Sequence, residues 1–124
     1  MYVLDSSAVI ELFQDLPRAN GIRDVLRGAP LVTTTITMHE VLAGAQTERE
    51  QFICEGLFSG MRLLNHDIIA ARTGARMQRE LDRAGTKINK ADVLIAGICE
   101  AHGGEMLALD RDFLKIKGLK AQVL

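Results

Sequence analysis

The alternation of apolar and polar positions along the chain divides it into short strands and longer helices. Tyr2–Leu4 is a short apolar strand, and Leu31–Ile36, rich in β-branched residues, is a second. Met61–Leu64, Glu105–Leu109 and Ala121–Leu124 supply three more. Helical spacing predicts helices over Ser7–Gln14, Ala19–Arg27, Met38–Ala45, Glu48–Phe58, Asp67–Arg83 and Lys90–His102, with a short one over Asp112–Ile116. The first must end before Pro17, because the residue preceding a proline avoids helical angles. Gly103-Gly104 stops the sixth, as glycine does after helix ends.

Asp67–Arg83 is the clearest helix. Ala70, Gly74, Met77, Leu81 and Ala84 fall on one face, and Arg72, Arg76, Arg79 and Arg83 on the other. Strands alternating with helices predict an α/β fold with a mainly parallel sheet. In such a sheet the carboxyl ends of the strands share one edge, where ligands bind.

That edge matters because of where the acids stand. Asp5 follows the first strand, and Glu40 is read in the first turn of the helix after the second. Asp92 lies in the first turn of the helix near Asn89; Asp110 ends the fourth strand, with Asp112 two residues on. Taken singly, each acid has a structural explanation, since aspartate caps helices and first-turn acids favour the helix dipole. Thr37-Met38-His39-Glu40 has the form of a capping box, and Asn89 with Asp92 is a near variant. Taken together, they converge on one sheet edge. Carboxylates crowded in one pocket repel each other, and a hard divalent cation with oxygen ligands, Mg²⁺ or Mn²⁺, removes that conflict.

Composition narrows the classes. At 124 residues, with 48% hydrophobic and 25% charged positions, residues 1–124 are read as a single domain rather than a disordered chain. The longest apolar run, Val93–Cys99, falls far short of the roughly 20 residues of a membrane span. No signal peptide is read at the N-terminus. Cys54 and Cys99 show no disulfide or zinc spacing, which points to a reducing, cytoplasmic setting. The net charge of −1 argues against a constitutive nucleic-acid coat protein, and the four Phe, one Tyr and no Trp argue against a base-stacking platform. They leave room for an enzyme that holds phosphates through metal ions.

The ordered set of motifs resembles the PIN-domain family, and within it the VapC-type toxin ribonucleases. The carrying residues are Leu4-Asp5-Ser6-Ser7, Glu40-Val41-Leu42-Ala43-Gly44-Ala45, Ala91-Asp92-Val93-Leu94-Ile95-Ala96 and Leu109-Asp110-Arg111-Asp112-Phe113. The resemblance implies a three-layer α/β/α domain that cleaves RNA with Mg²⁺ or Mn²⁺. It implies Asp5 and Asp92 as metal holders and Glu40 as the acid that completes the centre and orients the attacking water. Asp110 matches the late acid, with Asp112 the other candidate. It also implies a small antitoxin that blocks the site, with an Arg inserted among the acids, and a homodimer. Two positions depart from the pattern: Ala108 stands where Thr or Ser is usual, and Lys90 where an apolar, small or acidic residue is commoner. Lys90 is expected to contact a phosphate or to lower the pKa of Asp92.

From Arg72 to Lys90, six positive side chains face two negative ones. Arg72 and Arg76 are read as a solvated face. Arg83, Lys87 and Lys90, with Ser6, are candidate contacts to RNA phosphates. No catalytic role is assigned to His39, His66 or His102. Ser6 and Ser7 show no nucleophile motif and are read as hydroxyls holding the Asp5 loop or the metal shell. Cys99 is read as a core residue, and Phe52, Ile53, Leu57 and Phe58 as core packing, with an apolar surface for a partner the alternative. Two other functions compete. A phospho-acceptor domain needs an acid pair after the first strand, where this chain has Asp5 followed by Ser6 and Ser7. A non-catalytic PIN-like module binding RNA or protein is opposed by the complete acid set.

Overall fold

In the computed structural model, which describes residues 1–124, the paired strands are all parallel. β1 (Tyr2–Leu4) pairs with β4 (Glu105–Ala108), and β4 with β5 (Ala121–Val123). β2 (Val32–Thr34) pairs with β3 (Arg62–Leu64). β1 and β2 are in contact without a backbone ladder between them. The fully buried Thr33 hydroxyl bridges them instead, donating to the Leu4 carbonyl at 2.7 Å. Six helices surround the strands: α1 (Ser6–Phe13), α2 (Ala19–Leu26), α3 (Thr35–Gly44), α4 (Glu48–Ser59), α5 (Ile68–Arg83) and α6 (Lys90–Ala101). A short 3-10 helix spans Arg111–Lys115.

Strand geometry sends successive side chains to opposite faces, and two cores result. Val3, Val32, Leu64, Met106 and Ala108 join a cluster with Ala70, Met77 and Leu81 of α5 and Val93 and Ile98 of α6. Leu4 and Leu107 join the other, with Val9, Ile22, Val41 and Phe58 of the first four helices. The sheet is thus a middle layer, and the α/β/α architecture predicted from the sequence is the one observed.

α5 and α6 pack closely because both offer glycine at the crossing. A Cβ on Gly97 would stand 2.8 Å from the Gly74 Cα. Cys99 of α6 is fully buried in the first of these cores, as expected.

Three expectations need correction. The second strand stops at Thr34 and α3 starts at Thr35, not Met38. Thr34 takes the capping position, its hydroxyl accepting from the Thr37 amide at 3.0 Å. The capping box at Thr37–Glu40 therefore does not form, and Glu40 sits in the second turn of α3. The predicted core run in α4 is also wrong for three of its four residues. Phe58 is buried at 1% exposure, but Phe52 is 81% exposed, Ile53 48% and Leu57 42%. Finally, Arg76 is not simply a solvated charge: its side chain is 42% exposed but ion-paired with Glu100 of α6 and with Glu80 one turn along α5.

Candidate metal centre

The acids are brought together by the starts of three helices and one step inside a fourth. Asp5 follows β1 and caps α1, Oδ1 accepting from the Ala8 amide at 2.9 Å. Its second oxygen, Oδ2, accepts from the Ser7 hydroxyl at 2.7 Å. The Ser7 oxygen in turn accepts from the Leu109 amide at 3.4 Å, linking the Asp5 loop to the end of β4. Asp110 caps the 3-10 helix, Oδ1 accepting from the Asp112 amide at 2.8 Å. Glu40 projects from α3, where Oε1 accepts from Ser6 Oγ of α1 at 2.5 Å. Asp92 is in the first turn of α6, whose cap is Asn89, the Asn89 side chain accepting from the Ala91 amide at 2.9 Å.

Electrostatics bind these five into one group. Asp92 is pushed up to about 6 from the usual 3.8, first by partial burial, then by the negative charges of Asp110, Asp5, Glu40 and Asp112 in that order. Asp5, only 3% exposed, is also raised, chiefly by burial. The Ser7 and Ala8 hydrogen bonds oppose that rise and the Asp110 charge adds to it. Lys90 is not among the groups acting on Asp92. Two residues apart on a helix, the two side chains do not share a face, so the expected lowering of the Asp92 pKa by Lys90 is replaced by a rise. Asp112 is itself balanced by the Lys115 ammonium at 2.8 Å, whereas Asp110 has no ion-pair partner.

No three acidic, His or Cys side chains stand close enough together to hold a metal ion between them. The donors present nevertheless fit a hard divalent ion. All are carboxylate oxygens, and the Asp92 carboxylate accepts no hydrogen bond from the protein. Mg²⁺ takes one or two carboxylates and keeps several waters, so the remaining acids can act through water. Asp5 and Asp92 suit the direct contacts, one being held by two hydrogen bonds and the other unengaged.

Arg83 ends α5, Lys87 lies on the connection into α6, and Lys90 is the first residue of α6; all three are exposed. None of the three is ion-paired, which leaves their charges available to an anion. Ser6 is turned toward Glu40. The sequence did not single out the buried Thr34 hydroxyl and read that of Thr37 only as a helix cap; the β-branched run Thr33–Thr37 reads largely as strand, and its polar atoms were the only further signal.

Beside Glu40 runs an apolar groove of about 290 Å³ between α1, α3 and α4, walled by Ile10, Phe13, Val41, Ile53 and Leu57. The exposed apolar residues of α4 thus continue into a groove that reaches one acid of the cluster.

Comparison with known proteins gives a consistent picture. A curated relative, the tRNA(fMet)-specific endonuclease VapC of Salmonella typhimurium, is 27% identical over 126 residues, covering 98% of this chain and 96% of the relative. That of Shigella flexneri is 25% identical with the same coverage. The crystal structure of DNA-bound VapBC from Salmonella typhimurium superposes with a TM-score of 0.87 at 27% identity, over 98% of this chain and 96% of that one. VapBC2 from Rickettsia felis, bound to a promoter DNA fragment, shares the fold at a TM-score of 0.86 and 17% identity, over 99% of this chain and 98% of that one. Residues 2–119 match the PIN domain family. With the parallel sheet, the acids at its edge and that match over nearly all its length, the chain belongs to the PIN-domain family.

Proposed function

We propose that this protein is a Mg²⁺- or Mn²⁺-dependent endoribonuclease and the toxin of a toxin–antitoxin pair, acting in the cytoplasm on single-stranded or loop RNA. The observation that carries the reading is the convergence of Asp5, Glu40, Asp110 and Asp112 on Asp92, whose charges add to partial burial in raising its carboxyl to about 6. Acids placed independently, each only to cap a helix or favour its dipole, would have no reason to crowd together. Asp5 and Asp92 hold the ion, and Glu40 orients the attacking water. Asp110 is the late acid, being unpaired and first among the charges acting on Asp92. Asp112, held by Lys115, supports it from behind.

A bound divalent ion supplies activation of the water and neutralisation of charge at the scissile phosphate. The protein's own contribution is placement. Ser7 keeps Asp5 aimed and joined to β4, the tight α5–α6 crossing fixes the start of α6, and Arg83, Lys87 and Lys90 receive neighbouring phosphates as point charges. Attack by water, rather than by the 2′-hydroxyl, adds its oxygen to phosphorus as the bond to the leaving strand breaks.

The partner is a small antitoxin, supported by the VapBC complexes among the similar structures. The groove walled by Ile10, Phe13, Val41, Ile53 and Leu57 is its docking place. A segment seated there would run past Glu40 and bring a basic side chain onto the acids. Residues 1–124 act as one nuclease domain and assemble as a homodimer. No helix is long and apolar enough to cross a membrane.

The test is cleavage of a labelled RNA by protein free of antitoxin. Cleavage with Mg²⁺ or Mn²⁺, its loss in EDTA, and continued cutting when the scissile nucleotide lacks its 2′-hydroxyl are the expected results. Cleavage undiminished in EDTA, or none in any metal, would refute the nuclease reading.

A further inference from the structure

Glu40 differs from Asp5 in being exposed. A glutamate on the open face of a helix samples several rotamers, and fixing it costs entropy. Here one hydroxyl reaches it from another helix: Ser6 Oγ donates to Glu40 Oε1 at 2.5 Å, between residues 34 apart in sequence. Behind Ser6 stand two more hydroxyls. Ser6 Oγ is 3.4 Å from Thr37 Oγ1, which is 3.3 Å from Thr34 Oγ1. Both threonines are fully buried.

The directions of these bonds follow from counting protons. A carboxylate only accepts, and a serine hydroxyl has one proton. The Ser6 proton goes to Glu40, the closer and charged acceptor. Thr37 can then only donate to Ser6, and Thr34 donates to Thr37 while accepting from the Thr37 amide. All three protons point toward Glu40, an ordering in which each bond polarises the next. This ordering argues against the sequence-based expectation that Ser6 contacts an RNA phosphate. A phosphate oxygen needs a donor, and the one proton Ser6 has is already engaged.

We propose that Ser6, backed by Thr37 and Thr34, is a positioning residue that fixes the Glu40 carboxylate against the acid cluster. The inference rests on the nuclease reading for its consequence, since a fixed Glu40 matters only if Glu40 orients the attacking water. Ser6 touches neither substrate nor ion; it acts through Glu40.

The experiment compares wild type, Ser6→Ala, Ser6→Thr and Glu40→Gln with and without Ser6→Ala. Cleavage of a single-stranded RNA oligonucleotide in Mn²⁺, affinity for it in EDTA, and melting temperature are measured. Ser6→Ala should lower kcat by about ten- to a hundredfold, the scale of a misplaced group, with KM and affinity unchanged and the melting temperature lowered only by the few degrees that the orphaned Thr37 hydroxyl costs. Ser6→Thr should restore most of the rate, and Ser6→Ala should add no loss in the Glu40→Gln background. An unchanged kcat overturns the inference. A loss in KM or affinity that persists with Glu40→Gln makes Ser6 a substrate contact. A loss that tracks the melting temperature and is not rescued by Ser6→Thr makes it structural. Side-chain ¹³C relaxation at Glu40 separates this inference from the nuclease reading. Glu40 ordered in wild type and loosened in Ser6→Ala supports the tether even if RNA is not cut; equal mobility in both refutes it even if RNA is cut.

Discussion

Replacing Asp92 with Asn should make the metal-free protein more stable, not less. The amide keeps the shape of the side chain and removes its charge. In the folded protein the carboxyl titrates near 6 instead of 3.8, a difference equivalent to about 3 kcal/mol at 1.36 kcal/mol per factor of ten. Asp92 is only half-buried, so solvent screening reduces this to about 1.5 kcal/mol. Loss of the favourable interaction with the α6 dipole returns about 0.5 kcal/mol. The net expectation is a gain of about 1 kcal/mol at pH 7.5, a few degrees in melting temperature for a chain of this size.

The pH dependence has a definite sign. A carboxyl raised by folding holds its proton more tightly in the folded state, so its penalty is absent below 3.8 and complete above about 6. Between those values the wild type should recover its deficit against Asp92→Asn as pH falls. Thermal melts in EDTA at pH 7.5 and pH 4.5 would measure it. Excess Mn²⁺ should reverse the order at pH 7.5, since an ion bound only by the folded state adds about 2.7 kcal/mol at a hundred times its Kd. A destabilised Asp92→Asn whose deficit is equal at both pH values and insensitive to Mn²⁺ would show Asp92 to be an ordinary first-turn acid.

Other outcomes follow from separate parts of the molecule. Asp110→Asn should abolish cleavage while Asp112→Asn, whose carboxylate is held by Lys115 at 2.8 Å, leaves a measurable rate; single-turnover assays distinguish them. Gly97→Ala would press a methyl to 2.8 Å from the Gly74 Cα and should cost about 1–3 kcal/mol in urea unfolding. Gly74→Ala, whose added carbon meets only ordinary contacts from 3.7 Å, should cost less. Replacing Arg83, Lys87 and Lys90 together with Gln should flatten the salt dependence of RNA binding by about 2 in the log–log slope, at about 0.7 per phosphate contact on a single strand. Ile53→Asp with Leu57→Asp should prevent inhibition by a co-expressed antitoxin and leave cleavage by the free toxin intact.

Much of the architecture could be read from the chain because its strongest signals are periodic. α5 is plain in the spacing of Ala70, Gly74, Met77 and Leu81, all of which are buried. The parallel sheet followed from alternation, and the acids' shared edge followed from the sheet. The start of α3 could not be read the same way. Thr33–Thr37 is a run in which several residues can cap and most favour strand; tertiary packing of Thr33 and Thr34 decided among them. α4 misled for another reason. Phe52, Ile53, Leu57 and Phe58 spread over too wide an arc to meet one core, and periodicity cannot tell a face covered within the chain from one left open. Arg76 looked solvated because its partner Glu100 lies on another helix. The hydroxyl chain to Glu40 was hidden for the same reason, since Ser6 and Glu40 meet only after β1 and β2 are set side by side.

The most direct measurement is the cleavage rate of a labelled RNA as Mn²⁺ is titrated from zero, for wild type and for Asp92→Asn. The wild-type rate should rise from background and saturate, while Asp92→Asn, folded and at least as stable, stays near background or needs far more Mn²⁺. Equal rates for the two proteins across the titration, or a wild-type rate indifferent to Mn²⁺, would contradict a metal-dependent nuclease centred on Asp92.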